Sequence, residues 1–121
     1  MKKLLLVDDN KLYGMLLSSY LTRNGYKVVY CSHASEALEL AKETSFDLIV
    51  SDLLMPEIDG IDFVKILKEK ENIQNVPLIM LSAYESFELN ELIKHLGVTE
   101  IIHKSFKNNN ILQVIKDILN G

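Results

Sequence analysis

Residues 46–60 read FDLIVSDLLMPEIDG, and the order of residue types in this stretch decides how the rest of the chain folds. Leu48, Ile49 and Val50 form a short, continuously apolar run, the pattern of a strand covered on both faces rather than one with a wet side. Asp52 follows two residues later, and Met55, Pro56 and Gly60 then break the chain into a loop. Carboxylates are seldom buried unless something pairs with them. A run made for burial that ends in a charge therefore holds that charge rigidly at the mouth of a cleft.

The same alternation of apolar run and helical pattern extends outward to both ends of the chain, giving five units. Leu4–Val7 is the first run, followed by a helical stretch from Lys11 to Arg23 that Asn24-Gly25 closes. Val28–Tyr30 is the second run, and HASEALELAKE (33–43) after it is rich in strong helix formers. The third run is Leu48–Val50, with a helix expected over 61–70 carrying Ile61, Val64 and Leu67. Leu78–Leu81 is the fourth, entered through Pro77 and followed by ESFELNELIKHLG (85–97). Ile101-Ile102 is the fifth, and Ile111, Val114, Ile115 and Ile118 then mark one face of a last helix.

Five β-then-α units imply an α/β, doubly wound fold: a parallel five-stranded sheet with helices on both faces. Right-handed crossovers favour the strand order 2-1-3-4-5. A chain of 121 residues is long enough for one domain with a real core, read here as spanning 1–121. Apolar residues make up 48% and charged residues 25%, the proportions of ordinary globular domains rather than disordered ones.

Charge excludes other classes. Thirteen Lys and Arg against 17 Asp and Glu give a net charge of −4, without the dense positive field that phosphate-backbone binding needs. No direct nucleic-acid contact is expected. No apolar run approaches the roughly 20 residues that span a bilayer, and two aspartates interrupt the start MKKLLLVDDN, which argues against an export signal. A lone cysteine, Cys31, forms no internal disulfide, in keeping with a cytoplasmic protein.

Open α/β sheets bind ligands beyond the carboxyl ends of their strands. Here strand one runs into Asp8-Asp9, strand three into Asp52, strand four into Ser82-Ala83 and strand five into Lys104. In the order 2-1-3-4-5 those four strands are neighbours, so one cleft gathers three carboxylates, a hydroxyl and an ammonium. Three close carboxylates repel, and a bound divalent cation relieves the repulsion. All-oxygen ligands point to a hard ion such as Mg²⁺ rather than zinc. Ser82 and Lys104 supply the donor and cation that an incoming phosphoryl group needs around its oxygens, and Asp52 is the candidate nucleophile. Taken singly, each residue has an ordinary use: Asp8 and Asp9 as helix caps, Asp52 and Ser82 as turn residues, Lys104 as a solvated side chain. Their joint placement after the right strands carries the signal.

With those residues in hand, the chain resembles the receiver domain of two-component response regulators over essentially its whole length. The matching motifs are LLLVDDN (4–10), DLIVSDLLMPEIDG (47–60), PLIMLSA (77–83) and the lysine of IIHKSF (101–106). The resemblance implies a (βα)5 flavodoxin-like fold and transfer of phosphate to Asp52 from a sensor histidine kinase or a histidine phosphotransfer protein. It implies Asp9 and Asp52 as direct Mg²⁺ ligands, Asp8 acting largely through water, and Leu54 through its backbone carbonyl. Ser82 matches the hydroxyl residue that follows the phosphoryl group, and Lys104 the lysine that pairs with it. Met55, Pro56 and Gly60 match the turn after the phosphorylated aspartate.

Two positions depart from the family pattern. Ser105 stands where proline usually follows the lysine across a cis bond; a cis peptide before a non-proline residue costs roughly 3 kcal/mol. Ile101 stands where Tyr or Phe is common, and has no ring to swing with the hydroxyl residue. The resemblance also puts Leu54 and Tyr84 at two variable positions beside the cleft, two after the phosphorylated aspartate and two after the hydroxyl residue, where side chains of this size are expected to obstruct water attacking an aspartyl phosphate.

The chain ends at Gly121 without room for an effector domain, so it either acts alone or comes from a longer regulator. Leu112 and Leu119 extend the apolar stripe of the last helix; they pack into the core or join a homodimer surface formed with the last strand, as that face does in many relatives. Two other classes compete with a signalling switch. A phosphatase of the haloacid-dehalogenase type also uses an aspartate nucleophile with Mg²⁺, but wants a second acid where Leu54 stands. A pseudo-receiver that binds partners without taking phosphate is the alternative that Ser105 and Ile101 keep open.

Overall fold

Strands and helices alternate from end to end in the computed structural model, which describes residues 1–53, 55, 58–70, 72–83, 87–104 and 110–120. Among these residues the elements are β1 (Lys3–Val7), α1 (Lys11–Arg23), β2 (Lys27–Cys31), α2 (Ala34–Glu43) and β3 (Leu48–Asp52). They continue with α3 (Gly60–Lys68), β4 (Leu78–Ser82), α4 (Phe87–His95), β5 (Glu100–His103) and α5 (Asn110–Asn120). The strands form one sheet in the order β2-β1-β3-β4-β5, all pairs parallel. The expected α/β fold and strand order both hold.

Continuous apolarity in the strands has the expected cause. Leu4, Leu5, Leu6 and Val7 are all wholly buried, yet alternate residues serve opposite faces. Leu5 and Val7 join Ile49, Met80, the α2 alanines and α3's Phe63, Val64 and Leu67 in one core. Leu4 and Leu6 join Val50, Ile79, Leu81, α1's Tyr13, Leu17 and Leu21, and α5's Ile111 and Ile115 in the other. Each fully buried Leu or Ile contributes about 1.5–3 kcal/mol of transfer free energy. The sheet is thus a wall between two cores, its strands β3 and β4 buried throughout and its edge strands β2 and β5 partly exposed.

Helix ends follow local chemistry. Asn10 caps α1, its side chain accepting the Tyr13 N–H at 3.0 Å. At the other end Gly25 adopts φ +97°, and the N–H groups of Tyr26 and Gly25 return to the carbonyls of Leu21 and Thr22, the double bond of a glycine-stopped helix. Asp59 caps α3 by accepting the Ile61 N–H at 2.7 Å. That cap starts α3 at Gly60, one residue before the apolar pattern suggests, and the helix stops at Lys68 rather than 70. Leu112 and Leu119 lie half-buried against the α1/α5 core.

Candidate functional site

Asp52 and Ser82 are the last residues of β3 and β4, not the first residues of the loops that follow, as the sequence pattern suggests. The strand ladder runs two residues past the apolar run in β3 and one past it in β4, with Asp52 opposite Leu81 and Ser82 opposite His103. Their backbones are therefore pinned by the sheet. Asp8 and Asp9 follow β1, and Lys104 follows β5. Asn10 caps α1, so the two acids before it are not needed for that task.

Carboxylate oxygens of Asp8, Asp9 and Asp52 lie within 4.8 Å of one another. Asp8 and Asp52 are buried, Asp9 exposed. At an effective dielectric of 20, two like charges about 5 Å apart repel by roughly 3 kcal/mol. Lys104 answers part of that repulsion: its Nζ stands 2.8 Å from Asp8 Oδ2 and 3.5 Å from Asp52 Oδ2. Burial alone would lower the Lys104 pKa, but the hydrogen bond to Asp8 and the charges of Asp52 and Asp8 outweigh it and raise it above 10.5. Lys104 is therefore an ammonium at neutral pH. One ammonium against three carboxylates leaves two negative charges over, the charge of one divalent ion.

The donor set also suits such an ion. Asp8 Oδ1 accepts the Asn10 N–H at 2.8 Å and Lys104 Nζ at 3.0 Å. Asp8 Oδ2 is buried without a hydrogen bond, meeting only the charge of Lys104. The candidate ligand atoms are all carboxylate oxygens, the ligand type of Mg²⁺ rather than zinc.

Other contacts fix the frame. Lys104 lies over the Tyr13 ring, 4.7 Å from its centroid, and its backbone N–H donates to the Ser82 carbonyl at 2.7 Å. Beyond Asp52, the Leu53 carbonyl accepts the Gly60 N–H at 2.9 Å. A Cβ at Gly60 would strike the Leu53 backbone, so the turn closes only with glycine there. Tyr30 donates its hydroxyl to the Asp8 carbonyl at 2.7 Å; burial first, then the charges of Asp8 and Asp9, raise its pKa and keep it a donor.

The sequence-predicted residues Asp8, Asp9, Asp52 and Lys104 thus come together, with Ser82 joined to Lys104 through the backbone. Leu54, Tyr84 and Ser105, with the peptide bond that precedes it, lie outside the described residues. Ile101 is half-buried against the core on the α3 side of the sheet, and His103 is exposed. Tyr13, Gly14 and Tyr30 escaped the sequence reading. The one signal for them was a glycine inside a helical pattern, which often marks a close approach.

Comparison with known proteins agrees with this geometry. The response regulator receiver domain profile matches residues 4–116. An uncharacterised transcriptional regulatory protein of Bacillus subtilis, YcbL, is 32% identical over 84% of this chain, but the match spans only 44% of that relative's own length. The polar-differentiation response regulator DivK of Brucella ovis is 30% identical over 98% of this chain and 96% of its own. The chemotaxis protein CheY4 of Vibrio cholerae superposes with a TM-score of 0.92 at 32% identity, covering 98% of this chain and 99% of that one. The response regulator TrrA of Thermotoga maritima, solved in complex with Mg²⁺-BeF, superposes with a TM-score of 0.86 at 28% identity, covering 98% of this chain and 100% of that one. Fold, acidic cluster and profile converge, and the chain belongs to the response regulator receiver domain family of two-component signalling.

Proposed function

We propose that this chain is a phosphoacceptor switch, a single receiver domain over 1–121 that takes a phosphoryl group onto Asp52 from a sensor histidine kinase or a histidine phosphotransfer protein. The observation that carries the reading is the carboxylate triplet of Asp8, Asp9 and Asp52, bridged on one side by Lys104. Asp9 and Asp52, with Asp8 through water and the Leu54 carbonyl, would hold Mg²⁺. When bound, that ion neutralises charge on the transferring phosphoryl oxygens.

The chain's own residues do the rest. An Asp52 oxygen forms a bond to phosphorus as the donor's P–N bond breaks, and the leaving imidazole keeps the electron pair and takes a proton. The strand ladder holds Asp52 in line, so little orientational freedom is lost on approach. Lys104 moves its charge from the acids toward the new phosphoryl oxygens, and the Ser82 hydroxyl donates to one of them. Self-phosphorylation and autodephosphorylation are the only reactions expected. The setting is the cytoplasm; no described helix is long and apolar enough to cross a membrane.

Incubation with acetyl phosphate and Mg²⁺ tests this. Base-labile, acid-stable phosphate should appear in the wild type, require Mg²⁺ and vanish in Asp52→Asn. Wild type that stays unmodified while still binding Mg²⁺ would favour a pseudo-receiver, and sustained turnover of phosphate esters would favour a phosphatase.

A further inference from the structure

The main chain of Asp8 is gripped from one side by consecutive residues of β2. Its N–H donates to the Cys31 carbonyl at 3.1 Å, and its carbonyl accepts the Tyr30 hydroxyl at 2.7 Å. The first contact continues the parallel ladder, in which Leu6 faces Tyr30 and Val7 faces Cys31. The second is a side-chain contact across 22 residues, and the ladder does not require it.

That carbonyl belongs to the Asp8–Asp9 peptide, a rigid plane. Fixing its oxygen fixes the direction in which the chain leaves Asp8 and begins Asp9. The two acids differ sharply in surroundings: Asp8 is wholly buried and held by Asn10 and Lys104, whereas Asp9 is exposed. Asp9 therefore depends more on its backbone for its position than Asp8 does.

Room for the phenol exists because residue 14 has no side chain. A Cβ at Gly14 would fall on the Tyr30 ring and within 2.7 Å of its hydroxyl oxygen. Gly14 sits inside α1, where glycine weakens a helix. Its φ is not positive, unlike those of Gly25 and Gly97. Backbone conformation thus gives no reason for glycine there, and the close approach of Tyr30 does.

We infer that Tyr30 is a positioning residue for the Mg²⁺ site: its hydroxyl, admitted by Gly14, orients the Asp8–Asp9 peptide and so presents the Asp9 carboxylate to the ion. The inference rests on the reading of the carboxylate triplet as that site. Tyr30→Phe tests it with the ring retained, because packing survives and only the hydroxyl is lost. Its Mg²⁺ dissociation constant, measured by calorimetry on the full chain, should rise about five-fold, the scale of one lost hydrogen bond. Its far-ultraviolet circular dichroism should stay that of the wild type, and the Asp9 amide resonance should shift before any metal is added. Gly14→Ala should weaken Mg²⁺ binding likewise, and add little to Tyr30→Phe because the displaced hydroxyl is already gone. Should Gly14→Ala not fold, Tyr30→Phe alone decides. Mg²⁺ affinity within 1.5-fold of wild type, with the Asp9 amide unmoved, would overturn the inference and leave the proposed function intact; a wild type that binds no Mg²⁺ would overturn both.

Discussion

The Lys104 ammonium meets the wholly buried carboxylate of Asp8 at 2.8 Å, joining residues 96 apart in sequence. This pair ties the end of β5 to the end of β1 across the intervening strands. It also sets the charge balance of the cleft, because Asp8 has no other counter-charge among the described residues. Several consequences can be measured.

Lys104→Ala strands the Asp8 carboxylate in the interior. Removing one partner of a buried pair costs about 3 kcal/mol, and urea unfolding should show a loss near that size. Mg²⁺ should restore more stability to the variant than it adds to the wild type, since the ion then supplies the missing positive charge. Equal Mg²⁺ stabilisation of both proteins would count against the charge-balance argument.

Tyr13 holds Lys104 from the other side, with the ammonium 4.7 Å from the ring centroid. A partly desolvated cation–π contact is worth about 1 kcal/mol, so Tyr13→Leu should slow phosphorylation by acetyl phosphate roughly five-fold. In a Lys104→Ala background the same change should have little further effect. Additive losses in that double-mutant cycle would mean that Tyr13 acts by another route.

Gly60→Ala drives a methyl group into the backbone of Leu53, the residue after Asp52. No flexible side chain is there to yield. Overpacking of this kind costs roughly 2 kcal/mol, and the displaced turn should lower the phosphorylation rate along with stability. A variant that melts and phosphorylates like wild type would show that this loop has slack.

Cys31 gives the pH dependence. Burial first, then the hydrogen bond and charge of Glu36, push its thiol from 9.0 up to about 12. The unfolded thiol ionises near 9 while the folded one keeps its proton, so the unfolded state binds fewer protons above pH 9. Cys31's contribution to stability is therefore intact below pH 9 and is lost as pH climbs through about 12. The slope approaches about 1.4 kcal/mol per pH unit. Cys31→Ala should remove that part of the alkaline decline. The native thiol should also resist iodoacetamide at pH 8 and react once the protein is unfolded.

Much of this was legible in the sequence, for identifiable reasons. Runs such as Leu4–Val7 and Leu48–Val50 announce strands buried on both faces, and the crossover rule then orders them, so the gathering of Asp8, Asp9, Asp52 and Lys104 follows from pattern alone. Strand ends were less legible. Asp52 and Ser82 belong to the ladder because backbone pairing does not stop where apolarity does. Asn10 rather than either aspartate caps α1, a choice made by one hydrogen bond. The contacts of Tyr30 with Asp8 and of Tyr13 with Lys104 span 22 and 91 positions, distances at which local pattern carries no information.

The most direct test of the account is the structure of the protein with Mg²⁺ and beryllofluoride. Beryllium bonded to an Asp52 oxygen, Mg²⁺ among the Asp8, Asp9 and Asp52 carboxylates, and Lys104 Nζ turned from Asp8 to a fluoride would be the predicted result. A cleft that binds neither species, with Lys104 still on Asp8, would contradict it.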